Sequence, residues 1–195
     1  MTMLIVARHG QTDWNAERRW QGHADPPLND RGRAEAAALA ESLAGAEIEA
    51  IHSSDLARAR ETAAIVAERL RLPLTLDARL REVDVGEWSG LTTPEIERLY
   101  PGAMERRRER MTGWTSGEPM EAMGERVVEA LLSIREERAL VVTHGGPLRF
   151  VWAAAGGGEA WVNAGNCDVD SYAIDAGRIR WLDSTRGGLH QQVQG

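Results

Sequence analysis

Two stretches of the chain deliver a histidine to the end of an apolar run, with glycine behind it: MLIVARHG at 3–10 and ALVVTHGG at 139–146. The first also sets a guanidinium, Arg8, beside the imidazole of His9. A neutral imidazole is a competent nucleophile near neutral pH, and arginine holds oxyanions with a planar fork. A third stretch, SSDLARARETA at 53–63, puts Arg58 in the first turn of a predicted helix. The amino end of a helix already attracts anions through its free N–H groups and its dipole. A cation there makes sense with an anion in front of it; the alternative is a surface arginine paired with Glu61. His144 has its own alternative, a core histidine satisfied by a backbone carbonyl. Taken together, Arg8, His9, Arg58 and His144 suit a dianion of phosphate size, since a phosphate monoester carries roughly 1.5–2 negative charges near neutral pH.

These residues need elements to bring them together. Apolar runs with strand character lie at 3–7, 48–51, 72–76 and 139–143, and 171–182 reads as a hairpin turning at Asp175-Ala176-Gly177. Helical periodicity marks 30–44, capped by Asn29, and 56–71, capped by Ser53 or Ser54. Two further helices are expected over 119–137 and 147–155, each opening on a proline, Pro119 and Pro147. Strands alternating with helices predict a mostly parallel sheet covered on both faces. Ligands of such sheets bind outside the carboxyl ends of the strands, and both histidines sit there.

The chain has 195 residues, 43% hydrophobic and 27% charged, enough for one globular domain. No linker divides it, so 1–183 is expected to form a single domain and 184–195 a loosely ordered tail. A net charge of −7 disfavours nucleic acid as a partner. No apolar run approaches the ~18 residues of a membrane span, and the start lacks the basic region of a signal peptide. A cytoplasmic location is expected, and a homodimer is left open. The single cysteine, Cys167, excludes a disulfide framework and a cysteine-built zinc site, so no metal is expected. All 23 basic residues are arginine, so any fixed anion site must use arginine.

Five motifs in order make the chain resemble the histidine phosphatase superfamily, also called the phosphoglycerate mutase-like family. They are ARHGQTDWN, QGHADPPLNDRG at 21–32, SSDLARARETA, LREVDVGEWSG at 80–90 and VVTHGG. The resemblance runs from Leu4 to about Tyr172. It implies a three-layer α/β/α sandwich with an antiparallel edge to its sheet. It also implies His9 as the residue that takes the phosphoryl group and Glu82 as general acid and base. Arg8, Asn15, Arg58, His144 and Gly145 become the phosphate pocket, with no cofactor. Glu82 has a simpler alternative, a surface acid paired with Arg79 or Arg81.

The activity implied is a metal-independent phosphomonoesterase acting on a small phosphorylated metabolite through phosphohistidine. Alternatives are a phosphoglycerate-type mutase and a phosphate-binding regulatory module without turnover. The shorter segment between Gly90 and Gly146 resembles the phosphatase branches. TSGEPMEAMGERV at 115–127 resembles their G-E-S-x-E-x-x-x-R-V stretch, with Pro119 in place of serine. Trp14, Trp20, Met104, Met111 and Trp114 are candidate pocket residues, set against plain core packing. His23 and His52 carry no motif, no catalytic role falls on Asn166 or Cys167, and ERRRER at 105–110 reads as a solvated helix face.

Overall fold

The computed structural model describes residues 1–110, 112–157 and 163–185. Its six-stranded sheet is built from β1 (Thr2–Arg8), β2 (Ala50–Ser53), β3 (Leu74–Leu76), β4 (Arg138–Thr143), β5 (Val169–Asp175) and β6 (Arg178–Ser184). The order across the sheet is β3-β2-β4-β1-β5-β6. The first four of these neighbours pair in parallel, while β5 and β6 add antiparallel to the β1 edge. The β5–β6 hairpin turns on Ala176 and Gly177, both at positive φ, the conformation a two-residue turn of matching twist requires.

Period-two alternation sorts the strand residues between two cores. Leu4 and Val6 of β1 and Val141 of β4 face a core shared with α6 (Met120–Ser133) and α7 (Gly145–Ala154). Ala7, Leu140 and Val142 face the other way, onto α2 (Asp30–Ser42) and α3 (Ala57–Leu70). The mostly parallel sheet between two helical layers is the expected architecture. Of the shorter helices, α1 (Asp13–Ala16), α4 (Thr93–Leu99) and α5 (Ala103–Arg110), the last two add Ile96 and Ala103 to the first core.

Several boundaries differ from the sequence expectation. Asn29 caps α2 as expected, accepting from the Gly32 N–H. Neither Ser53 nor Ser54 caps α3; its first N–H, from Ala57, is taken by the carboxylate of Asp25 at 2.5 Å. Pro119 lies at the cap of α6 rather than inside it, and the helix stops at Ser133 because buried Ile134 turns extended toward β4. α7 begins at Gly145, ahead of Pro147, which sits in the first turn where no donor is missed. Helices α1 and α4 were not anticipated, although both carry capping boxes, Thr12 with Asn15 and Thr92 with Glu95. Ser184 closes β6 instead of opening a tail, and residues 186–195 lie outside the described residues.

Candidate active site

Register alone brings the first cluster together. In the parallel pairing of β1 with β4, Arg8 lies opposite Thr143. The next residues, His9 and His144, therefore leave the sheet side by side, with ring centroids 5.2 Å apart. β2 pairs on the other side of β4, Ser53 opposite Val142, so Ser54 arrives next to His144. Glycine is required just beyond His9. A Cβ at Gly10 would strike the carbonyl of Gly32, where the loop crosses the start of α2.

His9 is 3% exposed, and its Nδ1 lies 2.7 Å from the carbonyl oxygen of Gly10. A carbonyl only accepts, so Nδ1 carries the proton and Nε2 keeps its lone pair. Burial, then Arg58, then Arg8 hold the imidazole pKa well below its usual 6.5, because both a dry site and flanking cations disfavour the charged ring. His144 is 0% exposed and is likewise held far below 6.5, by burial first and then by Arg58. Its Nδ1 accepts from Arg58 Nε at 3.2 Å, and its Nε2–H donates to Ser54 Oγ at 2.9 Å.

Arg58 is fully buried. Besides His144 it donates to the carbonyls of Ala24 (2.7 Å) and Gly22 (2.9 Å). The loop after Gln21 is thus moulded around this guanidinium, and its Asp25 caps the helix that carries it. Burial lowers the Arg58 pKa to about 10, which leaves it a cation at neutral pH. Three of its five N–H groups are engaged, and the rest remain for a ligand. Arg8 donates to the Ala164 carbonyl at 2.7 Å, while its buried Nε has no partner.

Glu82 follows the short 3₁₀ turn Ala78–Leu80. Its Oε1 accepts from the N–H groups of Val83 (3.0 Å) and Gly146 (3.1 Å), and its Oε2 receives a longer contact from Gly146 (3.3 Å). A Cβ at Gly146 would push this carboxylate out of its place, so glycine there leaves room for Glu82. Arg79 and Arg81 do not pair with Glu82; they bind Asp77 and Asp55. The backbone of this segment is gripped by Arg126 of α6, which donates to the carbonyls of Arg79 and Arg81 (both 2.7 Å) and Glu82 (2.9 Å). Arg126 is itself held by Glu118. His23 adds its Nε2 to the Glu82 carbonyl at 2.9 Å.

These groups surround a cavity of about 490 Å³. Arg8, His9, Arg58, Glu82, Asn15 and Gly145 all line it. Asn15 Oδ1 is fixed by Thr12, through both its N–H and its hydroxyl, each at 3.1 Å. That leaves the Asn15 amide NH₂ as its donor toward a ligand. Asn166 donates to the His9 carbonyl at 2.9 Å and to Asn15 Oδ1 at 3.4 Å, so it braces two site residues at once. The sequence reading gave Asn166 no role; its position after a glycine was the available cue.

Other expectations change in detail. His144 is not on the cavity wall. It stands behind Arg58, and both its ring nitrogens are occupied within the protein. Trp20 and Trp114 do line the cavity, each edge-on to fully buried Trp88 with centroids 5.4 Å away. Trp14 and Met104 do not; Trp14 lies over Gly90 and Met104 packs on the core. Met111 falls outside the described residues. Arg107, from the run read as a solvated face, turns inward over the Trp20 ring at 4.8 Å. Burial raises the Cys167 thiol pKa to about 12, so it is no nucleophile. Among the described residues no three His, Cys, Asp or Glu side chains converge as metal ligands, and no helix is long and apolar enough to cross a membrane.

Comparison with known proteins agrees with this geometry. A phosphoglycerate mutase-like protein 4 of Arabidopsis thaliana is 39% identical over 161 residues, 78% of this chain and 70% of that protein. A probable phosphoglycerate mutase GpmB of Salmonella arizonae is 35% identical over 197 residues, covering 94% of this chain and 89% of its own. Among solved structures, Bacillus stearothermophilus YhfR superposes with a TM-score of 0.86 at 33% identity, covering 100% of this chain and 98% of that one. A mycobacterial glucosyl-3-phosphoglycerate phosphatase superposes with a TM-score of 0.81 at 34% identity, covering 93% and 96%. The family model described as histidine phosphatase superfamily (branch 1) matches residues 4–186. With its motifs, its sheet and its paired histidines in agreement, the chain belongs to the histidine phosphatase superfamily.

Proposed function

We propose that this enzyme of the histidine phosphatase type hydrolyses a small phosphomonoester through a phosphohistidine on His9. The observation that carries the reading is the fixed tautomer of His9. Its Nδ1–H is committed to the Gly10 carbonyl, so the lone pair of Nε2 is available in a cavity walled by buried Arg58 and half-buried Arg8. Phosphoryl transfer is mostly positioning and charge stabilisation. Arg8, Arg58 and the Asn15 amide supply donors to the equatorial oxygens, as does the free N–H of Gly145 at the start of α7.

The first step forms the Nε2–P bond and breaks the bond from phosphorus to the ester oxygen. Protonated Glu82 gives its proton to the departing alkoxide. Oε1 is occupied by two backbone N–H groups, so Oε2 is the oxygen that carries that proton. In the second step a water attacks phosphohistidine, Glu82 takes its proton, and His9 returns neutral with inorganic phosphate released. Mere binding of phosphate would not require a carboxylate held against the same cavity. Several relatives bear the name of a mutase. A mutase would differ only in the acceptor, a second hydroxyl of the substrate instead of water.

The test incubates the enzyme with phosphomonoesters in chelator, follows inorganic phosphate, and quenches in base. Base-stable, acid-labile label is expected on the peptide carrying His9. Label on another residue, or none under rapid quench, overturns the covalent route. Isomerised ester in place of phosphate identifies the mutase.

A further inference from the structure

Three segments meet around the inner end of the cavity, and their hydrogen bonds close into a ring. The loop at 22–25 holds the first turn of α3. The carbonyls of Gly22 and Ala24 accept from the Arg58 guanidinium, and Asp25 accepts from the Ala57 N–H. The residues leading into α3 hold the acid segment, where Asp55 takes both arms of the Arg81 fork, at 2.7 and 2.5 Å. That pairing keeps the Asp55 carboxyl below its usual range, with the hydrogen bond from Arg81 as the largest cause. The acid segment returns to the loop through half-buried His23, whose Nε2 lies 2.9 Å from the Glu82 carbonyl oxygen. A carbonyl only accepts, so this Nε2 carries a proton, in the neutral ring and in the charged one alike.

The order of residues in the loop makes the ring possible, because neighbours offer different groups. Gly22 and Ala24 turn their carbonyls to Arg58, and His23 between them turns its ring to Glu82. Gly22 stands at φ 52°, and a Cβ on it would come within 2.9 Å of the Val85 backbone nitrogen. The loop therefore lies directly against the acid segment. A carbonyl oxygen has two lone pairs, and that of Glu82 has two donors. Arg126 reaches it at 2.9 Å from α6, in the helical layer. His23 reaches it from the seat of Arg58, so this contact refers the position of the acid to the group that holds the phosphoryl oxygens. A general acid must stand within hydrogen-bond reach of the oxygen it protonates, and that oxygen is fixed by where the phosphoryl group sits.

We infer that His23 is a positioning residue for the reaction: it ties the backbone of Glu82 to the seat of Arg58, and it acts on protonation of the leaving alkoxide rather than on phosphate binding. The inference rests on the phosphatase reading, with Glu82 as the proton donor. A histidine that merely stiffened the loop would affect all phosphomonoesters alike.

The test compares full-length wild type with His23→Asn, His23→Leu and His23→Gln. Single-turnover rapid quench follows release of the alcohol from glycerol 3-phosphate, glucose 6-phosphate and 3-phosphoglycerate, and of nitrophenolate from p-nitrophenyl phosphate. Glutamine extends an amide N–H about as far as the imidazole Nε2, asparagine is one methylene too short, and leucine has no donor. His23→Asn and His23→Leu should slow the alkyl esters roughly 3- to 30-fold and nitrophenolate release less than about twofold; the loss stays below the ~100-fold of a 1 Å misplacement because Arg126 still holds the carbonyl. His23→Gln should recover most of the alkyl rate. The inhibition constant for inorganic phosphate, which reads ground-state binding alone, should stay within about twofold in all three. In a Glu82→Gln background His23→Asn should cost nothing further, because residues that act through one another are not additive. Asparagine keeps a polar side chain in the loop, so the comparison stands even where the leucine variant does not fold. Equal slowing of both kinds of ester, no slowing with asparagine, no recovery with glutamine, or a loss that persists beside Glu82→Gln overturns the tie and leaves the phosphatase reading in place. Wild-type enzyme that frees no alcohol from any of the three alkyl esters defeats that reading, and this inference falls with it.

Discussion

Acidification should destabilise this protein well before its carboxylates titrate, because two imidazoles are buried in the neutral form. His9 and His144 are both held far below 6.5, with burial the largest cause and Arg58 next for each; Arg8 acts on both and Arg126 on His144. In the unfolded chain each takes up a proton near its ordinary pKa of ~6.5. Below that pH the unfolded state binds more protons than the native one, so stability rises with pH across this window and falls on acidification. The contribution is fully present above the unfolded pKa and is lost as pH drops toward the folded value. Going from pH 8 to 5.5 costs about 1.4 kcal/mol per histidine, or about 2.8 kcal/mol for the pair, provided neither protonates in the native state. Asp55, Asp77, Glu87 and Glu136 are all shifted downward and so titrate outside this interval.

Urea unfolding at pH 8 and at pH 5.5 measures the effect. The comparison is a His9→Asn, His144→Asn double variant, because asparagine reproduces the Nδ1 contacts each ring makes, to the Gly10 carbonyl and from Arg58. His23, His52 and His190 remain in both proteins and cancel. Wild type should lose about 2–3 kcal/mol more than the double variant. Equal losses, within about 0.5 kcal/mol, would mean that the imidazoles are charged in the native state. The argument for His9 as a neutral nucleophile would then fail with it. The same reasoning expects no fall in kcat/KM near pH 6.5 from protonation of His9.

Glu82→Gln should slow phosphorylation of His9 by alkyl phosphates roughly 10²–10⁴-fold, the usual contribution of a general acid. With p-nitrophenyl phosphate, whose leaving group needs little protonation, it should instead give a burst of nitrophenolate followed by slow turnover; equal losses of the phosphorylation rate for both esters would rule out Glu82 as the donor. Arg126→Met frees the carbonyls of Arg79 and Arg81, leaves that of Glu82 to His23 alone and removes the ion-pair partner of Glu118, so a stability loss of roughly 1.5–3 kcal/mol is expected. Because Arg126 holds the backbone of Glu82, its loss should also lower kcat for alkyl phosphates roughly 10- to 100-fold while moving the p-nitrophenyl phosphate burst far less; a stability loss with no such split would make Arg126 merely structural.

What the sequence revealed and what it withheld divide along a physical line. The central strands were legible because continuous apolar runs can bury both faces of a sheet, their carboxyl ends singled out Arg8, His9 and His144, and the first turn of a helix singled out Arg58, without any contact being known. Local periodicity also gave α2, α3 and the β5–β6 turn. Residues that act by gripping a distant backbone were illegible. Arg126 reaches carbonyls 44 to 47 positions away, and Asn166 reaches the His9 carbonyl across 157. A carbonyl acceptor has no side-chain signature, so nothing in the sequence marks where such a donor is going. The QGHADPPLNDRG motif shows the same effect from the other side. Its Gly22 and Ala24 matter for their carbonyls and Asp25 for capping α3, so a stretch legible only as a family motif builds the seat of Arg58. The arginine run in α5 is harder still. Arg106 donates to the Pro101 carbonyl and Arg108 is exposed, yet Arg107 between them lies over Trp20. Three like residues in a row carry no periodicity to say which one points inward. The phase is set by how α5 packs beside the Trp20–Trp88–Trp114 stack, so the inward turn of Arg107 was written in tertiary packing, while the placing of Arg8 and the two histidines was written in strand ends.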